Sequence, residues 1–149
     1  MEIVKATLDE LDLVTPLFDA YRVFYGQGSD LNIARDFIKA RLESQESVIF
    51  LAVGSQGEAL GFTQLYPSFS SVSAARTWIL NDLYVTDSAR KQGVATQLMN
   101  AAKKLATEGE VKGLALETAE DNVNAQKLYE SLGYKKELGA YHYFLDLSA

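Results

Sequence analysis

The stretch that decides the fold is Trp78-Ile79-Leu80-Asn81-Asp82-Leu83-Tyr84-Val85, followed by the turn Arg90-Lys91-Gln92-Gly93 and a helical pattern from Val94 to Leu105. Its aromatic, aliphatic and β-branched residues predict a strand as far as Val85. After Gly93 the apolar positions recur every three or four residues, so they line one face of a helix. The first N–H groups of a helix lack intrahelical partners, and the helix dipole adds positive charge there, so this arrangement favours binding of a diphosphate.

The glycine turn fits an anion for several reasons. Gly93 has no Cβ and lets the backbone approach a phosphate closely, Ala95 keeps the next position small, and Arg90 and Lys91 add positive charge. A single Gly-x-Ala is also compatible with an ordinary strand-to-helix connection, so both interpretations stay open at this point. The chain contains neither G-x-x-x-x-G-K-[ST] nor G-x-G-x-x-G, so it matches neither the P-loop nor the dinucleotide fingerprint.

A second informative segment follows a predicted strand from Gly113 to Thr118. Asp121 or Asn122 can cap a helix there, and Gly133 is placed to end it. Between them an apolar stripe at helical spacing consists of Ala125, Leu128, Tyr129 and Leu132.

In this order, R-x-x-G-x-A, helix, strand and then N-x-x-A-x-x-L-Y-x-x-x-G-Y, the chain resembles the GNAT superfamily of acyl-CoA-dependent N-acetyltransferases. The resemblance is sharpest between Trp78 and Tyr134. It implies that acetyl-CoA is the cofactor, that the glycine loop binds its diphosphate, and that the preceding strand, with a bulge, lies along the pantetheine arm. The last small residue of the loop is Ala95, where many members have glycine.

The resemblance also implies roles for individual residues. The pantetheine contact falls on Asn122 and the thioester neighbour is Tyr129. The predicted cofactor-binding set is Leu83, Tyr84, Val85, Arg90, Lys91, Gln92, Gly93, Val94, Ala95, Thr96 and Asn122. Backbone N–H groups near Leu83 are the expected donors to the carbonyl oxygen that becomes negative during acyl transfer.

Asp82 is the candidate catalytic base. A lysine-like amine with a pKa of about 10.4 costs roughly 4.6 kcal/mol to deprotonate at pH 7, so a base or a proton-accepting water helps. A carboxylate inside an apolar strand is costly unless it has a function or a partner. The alternative is structural, with Asp82 capping a turn or pairing with an arginine such as Arg76.

Tyr129 is the candidate acid for the leaving thiolate. Because a phenol has a pKa of about 10 and a thiol of about 8.5, a hydrogen bond to the sulfur is a better expectation than early proton transfer. The alternative is core packing, because Tyr129 shares the apolar stripe of its helix.

The acceptor amine is expected near the end of the first helix and the start of the second. Tyr21, Tyr25 and Trp78 can hold an ammonium by cation–π contact, and Asp30 can pair with it. Aromatic core packing and helix capping are the alternatives for these residues. His142 is interpreted as a solvent-facing strand residue outside the catalytic set.

Composition limits the other possibilities. A net charge of −6 argues against a nucleic-acid surface, which needs a basic face. The chain has no cysteine and one histidine, so we expect no disulfide, thiol nucleophile or metal site. It has neither a signal-peptide pattern nor an apolar run of membrane-spanning length, so we expect a cytoplasmic protein without a membrane partner.

The pattern of the whole chain predicts one α/β domain over residues 1–149. We expect a mixed, mostly antiparallel central sheet of about six to seven strands, flanked by about four helices. The last two strands are predicted at Tyr134 to Glu137 and Tyr141 to Leu147, and Pro67 to Ser73 as a loop.

Two functions follow. The first is N-acetyl transfer from acetyl-CoA to a primary amine of a small molecule, protein or peptide, and the second is noncatalytic binding of coenzyme A by a sensor or regulatory module. A homodimer is common in the resembled family.

Overall fold

The computed structural model describes residues 1–148. Four α-helices and five strands form in the described chain, with short 3-10 helices at Leu8–Glu10 and Asp87–Ala89. In chain order the main elements are β1 (Glu2–Lys5), α1 (Leu11–Phe24), α2 (Leu31–Glu43), β2 (Val48–Val53), β3 (Ala59–Ser70), β4 (Ala75–Val85), α3 (Val94–Glu108), β5 (Leu114–Ala115) and α4 (Val123–Ser131). No helix within residues 1–148 is both long and apolar enough to cross a bilayer.

The strands form one sheet in the order β1-β2-β3-β4-β5. Each of the first four strands is antiparallel to the next, and β5 lies parallel to β4 because α3 provides the crossover between them. This confirms the predicted mixed, mostly antiparallel sheet. Residues 1–117, which contain the whole sheet, form one compact unit, and the chain from Thr118 onward forms a second. The single domain of 1–149 stays a prediction.

The predicted count of six to seven strands is wrong. Neither Tyr134 to Glu137 nor Tyr141 to Leu147 adopts strand structure, and the sheet of the described chain has five strands. A strand needs a neighbour that accepts and donates its backbone hydrogen bonds, and alternating apolar residues supply only the propensity.

The serine-rich loop predicted over Pro67 to Ser73 is mostly strand. β3 continues to Ser70 and pairs there with Ala75, the first residue of β4. The amide of Ala74 donates to the carbonyl of Ser71 at 3.1 Å, which closes the hairpin. Pairing with β4 therefore overrides the loop composition, as tertiary context often does for strands.

Two apolar clusters cover the two faces of the sheet. On one face α1 and α2 pack over β2 and β3, where Val14, Ile38, Leu51 and Phe62 are fully buried. On the other face α3 packs through Val94 and Leu98 against a cluster that includes Ala52, Leu83 and Val85. The end of β4 is thus packed on both faces, through Tyr84 on one and through Leu83 and Val85 on the other.

Local signals place the helix starts. Thr7 and Glu10 form a capping box, and Asp30 caps α2 by accepting from the amide of Ile33 at 3.1 Å. α1 runs unbroken from Leu11 to Phe24 with Pro16 inside it. The hydroxyl of Thr15 donates to the carbonyl of Leu11 at 2.8 Å within this helix.

Candidate active site

A β-bulge lies in β4 beside the candidate base. Gln64 of β3 pairs with Asp82, but the next residue, Leu65, pairs with Leu80, so Asn81 is one extra residue on β4. Bulges re-aim side chains and are over-represented next to active sites. The bulge confirms the bulge that the family resemblance implies for this strand.

The carboxylate of Asp82 is buried among amide donors. Its side chain is 1% exposed, Gln64 Nε2 donates to Oδ2 at 2.6 Å, and Asn81 Nδ2 donates to Oδ1 at 2.7 Å. The alternative ionic partner, Arg76, lies with its guanidinium 5.9 Å from the ring centre of Phe69. Within residues 1–148 the side chains that donate to the Asp82 carboxylate are neutral.

Burial raises the pKa of the Asp82 carboxyl, because removing a carboxylate from water disfavours its charged form. Hydrogen bonds from Asn81, Gln64 and Tyr21 oppose this and favour ionisation. The net direction is upward, so Asp82 binds a proton more readily than an aspartate in water. A raised pKa is what a carboxylate needs to take a proton from an amine near neutral pH.

The charge of Asp82 affects the pKa of two nearby tyrosine hydroxyls, those of Tyr21 and Tyr66. Burial, with Asp82 as the next cause, raises the pKa of Tyr21 and raises the pKa of Tyr66 to about 12. Both phenols therefore stay protonated and act as donors. The Tyr21 hydroxyl donates to the carbonyl of Asn81 at 3.2 Å. It carries one proton, so this bond and its bond to the Asp82 carboxylate are alternatives.

Sequence reasoning missed Gln64, Tyr66 and Ser47 at this site. The hydroxyl of Ser47 donates to Oε1 of Gln64 at 2.8 Å, which turns Nε2 of that amide toward Asp82. One signal could have found Gln64: it is a polar residue inside the apolar run of β3, and it is fully buried. Ser47 and Tyr66 carry no such signal.

The end of β4 leaves backbone groups open on one side. The amide of Thr86 donates to the carbonyl of Leu60 at 2.9 Å, which sets the alternation in the antiparallel pair. By that alternation the amides of Leu83 and Val85 point away from β3. On that side β5 pairs with β4 only at Trp78 and Ile79. The amides near Leu83 thus lie at an open stretch of sheet edge.

The glycine turn forms a cavity at the start of α3. Gly93 is the residue before the helix, has a φ of 79° and supplies no side-chain cap. A cavity of about 210 Å³ is lined by Val85, Ala89, Arg90, Lys91, Gly93, Val94, Ala95 and Thr96. All of these except the buried Ala89 belong to the cofactor-binding set predicted from sequence, and no pattern singled Ala89 out.

The side chains of Arg90 and Gln92 in the turn donate hydrogen bonds to backbone carbonyls, and Arg90 also forms an ion pair. Arg90 donates through Nε to the carbonyl of Val85 at 3.3 Å, and its Nη1 lies 2.9 Å from Oδ1 of Asp87. Gln92 donates through Nε2 to the carbonyl of Ser88 at 3.1 Å. These bonds tie the turn to the end of β4, so strand and cavity form one continuous surface.

The residues predicted for the acceptor amine are only partly brought together. Tyr21 and Tyr25 have ring centres 5.0 Å apart, and Tyr25 is exposed. Asp30 is occupied as the cap of α2, and its amide donates to Asp19 Oδ1 at 2.8 Å. Trp78 is half-buried in β4 between Pro67 and Leu114. Tyr21 has its hydroxyl beside Asp82, and the acceptor role of all four residues stays a prediction.

The second unit contains Asn122 and Tyr129. Asn122 caps α4 by accepting from the amide of Ala125 at 3.2 Å. Tyr129 is half-buried on the predicted stripe of α4, with its ring centre 6.2 Å from that of Tyr134. The helix and its cap are as predicted. The cofactor contact of Asn122 and the acid role of Tyr129 stay predictions.

The chain is similar to several proteins that are acetyltransferases by family or by name. Residues 14–134 match the acetyltransferase (GNAT) family. The chain is 48% identical to the uncharacterized N-acetyltransferase YhfO of Bacillus subtilis (strain 168), covering 100% of this chain and 99% of that protein. It is 32% identical to a probable acetyltransferase of Haemophilus influenzae, covering 91% and 90%. The crystal structure of a probable acetyltransferase, 47% identical, superposes with a TM-score of 0.93 and covers 100% of this chain and 99% of its own.

Proposed function

Because the chain belongs to the acetyltransferase (GNAT) family, we propose that it transfers the acetyl group of acetyl-CoA to a primary amine of a small molecule, a protein or a peptide. We include all of residues 1–149 in the functional domain and expect it to work in the cytoplasm. The observation that carries the proposal is the buried carboxylate of Asp82, held by amides in a bulge of β4, the strand whose open end leads into the glycine cavity.

The cavity fits the diphosphate of coenzyme A. The N-terminus of α3 has no side-chain cap, so the first amides of the helix are available to phosphate oxygens. Arg90 and Lys91 line the same cavity, where Lys91 supplies positive charge and Arg90 is paired with Asp87. Acetyl-CoA provides the acetyl thioester, and the open amide of Val85 binds its pantetheine arm as an added strand would bind.

Asp82 acts as the base in the proposed reaction. The amine nitrogen forms a bond to the acetyl carbon, its proton passes to the Asp82 carboxylate directly or through water, and the carbon–sulfur bond breaks. The amide of Leu83 stabilises the negative charge that develops on the carbonyl oxygen. The sulfur leaves as a thiolate, and Tyr129 donates a hydrogen bond to it or a solvent proton neutralises it. The protonated phenols of Tyr21 and Tyr66 add donors near the carboxylate.

The proposal is tested by two measurements on the purified protein. Acetyl-CoA should raise the melting temperature, and thiol release should depend on an added amine from a panel of polyamines, amino acids, aminoglycosides and basic peptides. Stabilisation by coenzyme A without release on any amine would favour a noncatalytic coenzyme A sensor. Stabilisation by nucleotides but not by coenzyme A would contradict the cofactor assignment.

Gly93→Ala should weaken acetyl-CoA binding by roughly 5- to 30-fold. A side chain at a φ of 79° costs about 1–2 kcal/mol, and the turn can relieve that strain only by moving the amides that face the cavity. Isothermal titration calorimetry measures the dissociation constant.

Gly113→Ala is the matched control for that variant. An added Cβ meets nothing within 4 Å at either glycine, and only Gly93 has a positive φ. Equal dissociation constants for the two variants would show that the left-handed turn is irrelevant to binding.

Tyr129→Phe should lower turnover at least tenfold and change the acetyl-CoA affinity little. The substitution removes only the phenolic hydroxyl, so packing on the stripe of α4 is retained, while a hydrogen bond to the departing sulfur is lost. Steady-state kinetics over a range of pH, together with calorimetry for the cofactor, separates the two quantities. Unchanged turnover at every pH would remove Tyr129 from the mechanism.

A further inference from the structure

A row of three polar side chains crosses neighbouring strands on one face of the sheet. Gln64 of β3 lies directly opposite Asp82 of β4 and, on its other side, directly opposite Ile49 of β2. Ser47 comes two residues before Ile49, which places it on the same face and diagonal to Gln64. Strand register thus brings together Ser47, Gln64 and Asp82, which we call the polar row.

The hydrogen bonds of the polar row run in one direction. The hydroxyl of Ser47 donates to Oε1 of Gln64 at 2.8 Å, and Nε2 of Gln64 donates to Oδ2 of Asp82 at 2.6 Å. A carboxylate only accepts hydrogen bonds, so the amide nitrogen of Gln64 must face Asp82 and the amide oxygen must face Ser47. Donation to the amide oxygen also polarises the amide and makes its N–H group a stronger donor. The two bonds therefore act in series on the ionised form of Asp82.

Burial makes the polar row sensitive to the loss of either bond. Gln64 is fully buried and Asp82 is 1% exposed, so bulk water does not replace the bond between them. Ser47 is half-buried and follows the turn from α2 to β2. Two contacts close that turn: Arg41 Nε lies 3.0 Å from Glu46 Oε1, and the amide of Glu46 donates to the carbonyl of Arg41 at 3.0 Å. The end of α2 thus fixes the position of Ser47.

We propose that Gln64 is a positioning residue for the base of acetyl transfer, and that Ser47 acts on Asp82 only through Gln64. Gln64 stabilises the ionised carboxylate that accepts the proton of the amine, and Ser47 fixes the orientation of the Gln64 amide. No proton passes along the polar row, because both residues act by hydrogen bonding alone. This inference rests on the proposed role of Asp82 as the base.

The groups around the polar row leave one buried carboxyl to titrate. Burial, with Asp82 as the next cause, raises the pKa of Tyr21 and raises the pKa of Tyr66 to about 12, so both phenols stay protonated where Asp82 ionises. The titratable and charged groups on the elements packed around Asp82 are Tyr21 of α1, Arg41 of α2, Glu46 of the α2–β2 turn, Tyr66 of β3 and Tyr84 of β4. Within this group the other carboxyl, that of Glu46, is exposed and paired with Arg41.

The first experiment measures the titration of the Asp82 carboxyl by carbon NMR, which requires no turnover. The signal of Asp82 is the one missing from Asp82→Asn. Gln64→Met should raise the pKa of Asp82 by about one to two units, because methionine fills the site and cannot donate a hydrogen bond to the charge. Ser47→Ala should raise it by about half a unit, because water replaces part of a bond at a half-buried position. Ser47→Thr retains a hydroxyl and should restore the wild-type pKa.

The second experiment tests whether the two residues act in series. The double variant Ser47→Ala with Gln64→Met should have the same Asp82 pKa as Gln64→Met alone, because Ser47 then has no amide through which to act. Two shifts that add in full would overturn the proposal. Ser44→Ala and Gln56→Met are the matched controls, since both residues are exposed, and an equal shift in either of them would also overturn it.

The third experiment connects the polar row to the reaction. The pH at which kcat/KM rises should move upward with the pKa of Asp82 in each variant, while the rate on the high-pH plateau stays within about threefold of the wild type. A loss of rate at every pH with an unmoved midpoint would indicate a purely structural role and overturn the proposal. An unmoved Asp82 pKa in Ser47→Ala and Gln64→Met would overturn it even in an active acetyltransferase. Shifted pKa values without any acetyl transfer would instead overturn the proposed function and support the action of Ser47 through Gln64.

Discussion

Asp82→Asn should lower the turnover number for acetyl transfer by about 10²–10⁴-fold, the range that a positioned general base contributes. Asparagine has nearly the shape of aspartate and can keep a hydrogen bond to Gln64 or Asn81, so the site keeps its packing. It has no carboxylate to take the proton of the amine. Steady-state thiol release at saturating acetyl-CoA measures the loss, and the acetyl-CoA affinity should be close to that of the wild type.

The pH dependence of kcat/KM, compared between the wild type and Asp82→Asn, is a second test of Asp82 as the base. Because burial raises the pKa of Asp82, the ionised form that acts as base appears at a higher pH than for an aspartate in water. For the wild type, kcat/KM should therefore rise with pH through that raised pKa. Asp82→Asn should lack this rise.

The free energy of unfolding should change with pH in the opposite direction to kcat/KM. Between the ordinary pKa of aspartate and the raised pKa of Asp82 the folded chain binds more protons than the unfolded chain, so the free energy of unfolding falls as the pH rises through this window. Asp82→Asn abolishes that fall, and denaturant titrations at several pH values measure it.

Asp36→Asn is the matched control for Asp82→Asn. Asp36 is exposed on α2, so the same chemical change there should alter neither turnover nor its pH profile. Turnover of Asp82→Asn within threefold of the wild type, with the same pH profile, would contradict the assignment of Asp82 as base.

Phe62→Ala should lower the free energy of unfolding by about 3–5 kcal/mol, since removing a buried phenyl ring loses its transfer energy and leaves a cavity. Phe62 is fully buried, and its ring meets those of Phe18 and Tyr21 edge-on at 6.3 and 6.0 Å. The loss is a large fraction of the 5–15 kcal/mol that typically stabilises a folded protein. Equilibrium unfolding in urea measures the change.

Phe69→Ala provides the comparison on the same strand. Phe69 is 73% exposed, and its ring faces the guanidinium of Arg76. Its removal should cost no more than about 1 kcal/mol. Similar losses for the two variants would mean that Phe62 is not the centre of this core. Phe62→Ala should also reduce turnover somewhat, because Phe62 supports the ring of Tyr21 beside Asp82.

The glycine turn shows how much of the site was predictable from the sequence. Its anion-binding character depends on residues that are neighbours in the chain, and one cavity contains Val85 and six residues of the turn and the first turn of α3. Asp82 was predictable for a similar reason, since a carboxylate inside an apolar strand is unusual on sequence alone. Both predictions were possible because they depend only on residues that are neighbours in the sequence.

The environment of Asp82 was not predictable, because it depends on register. Gln64 reaches the carboxylate only because β3 pairs with β4 in one register, and the extra residue Asn81 sets that register. Tyr66 and Ser47 come from parts of the chain whose local sequence says nothing about the site. The strands predicted at Tyr134 to Glu137 and Tyr141 to Leu147 are wrong for another reason. Alternating apolar residues indicate strand propensity, but they do not say which strand of the sheet would pair with the segment.

The bulge also decides where β4 tolerates a change of length. Deleting Asn81 would leave Leu80 opposite Leu65 and Asp82 opposite Gln64, so the residues on both sides of the bulge would keep their faces of the sheet. That deletion would remove the amide that donates to Oδ1 of Asp82. The gain or loss of a codon between Ala75 and Leu80 would instead turn the residues from that position to the hairpin onto the opposite face. During divergence this strand can therefore accept many changes of residue type, while a change of length keeps the two faces intact only at the bulge.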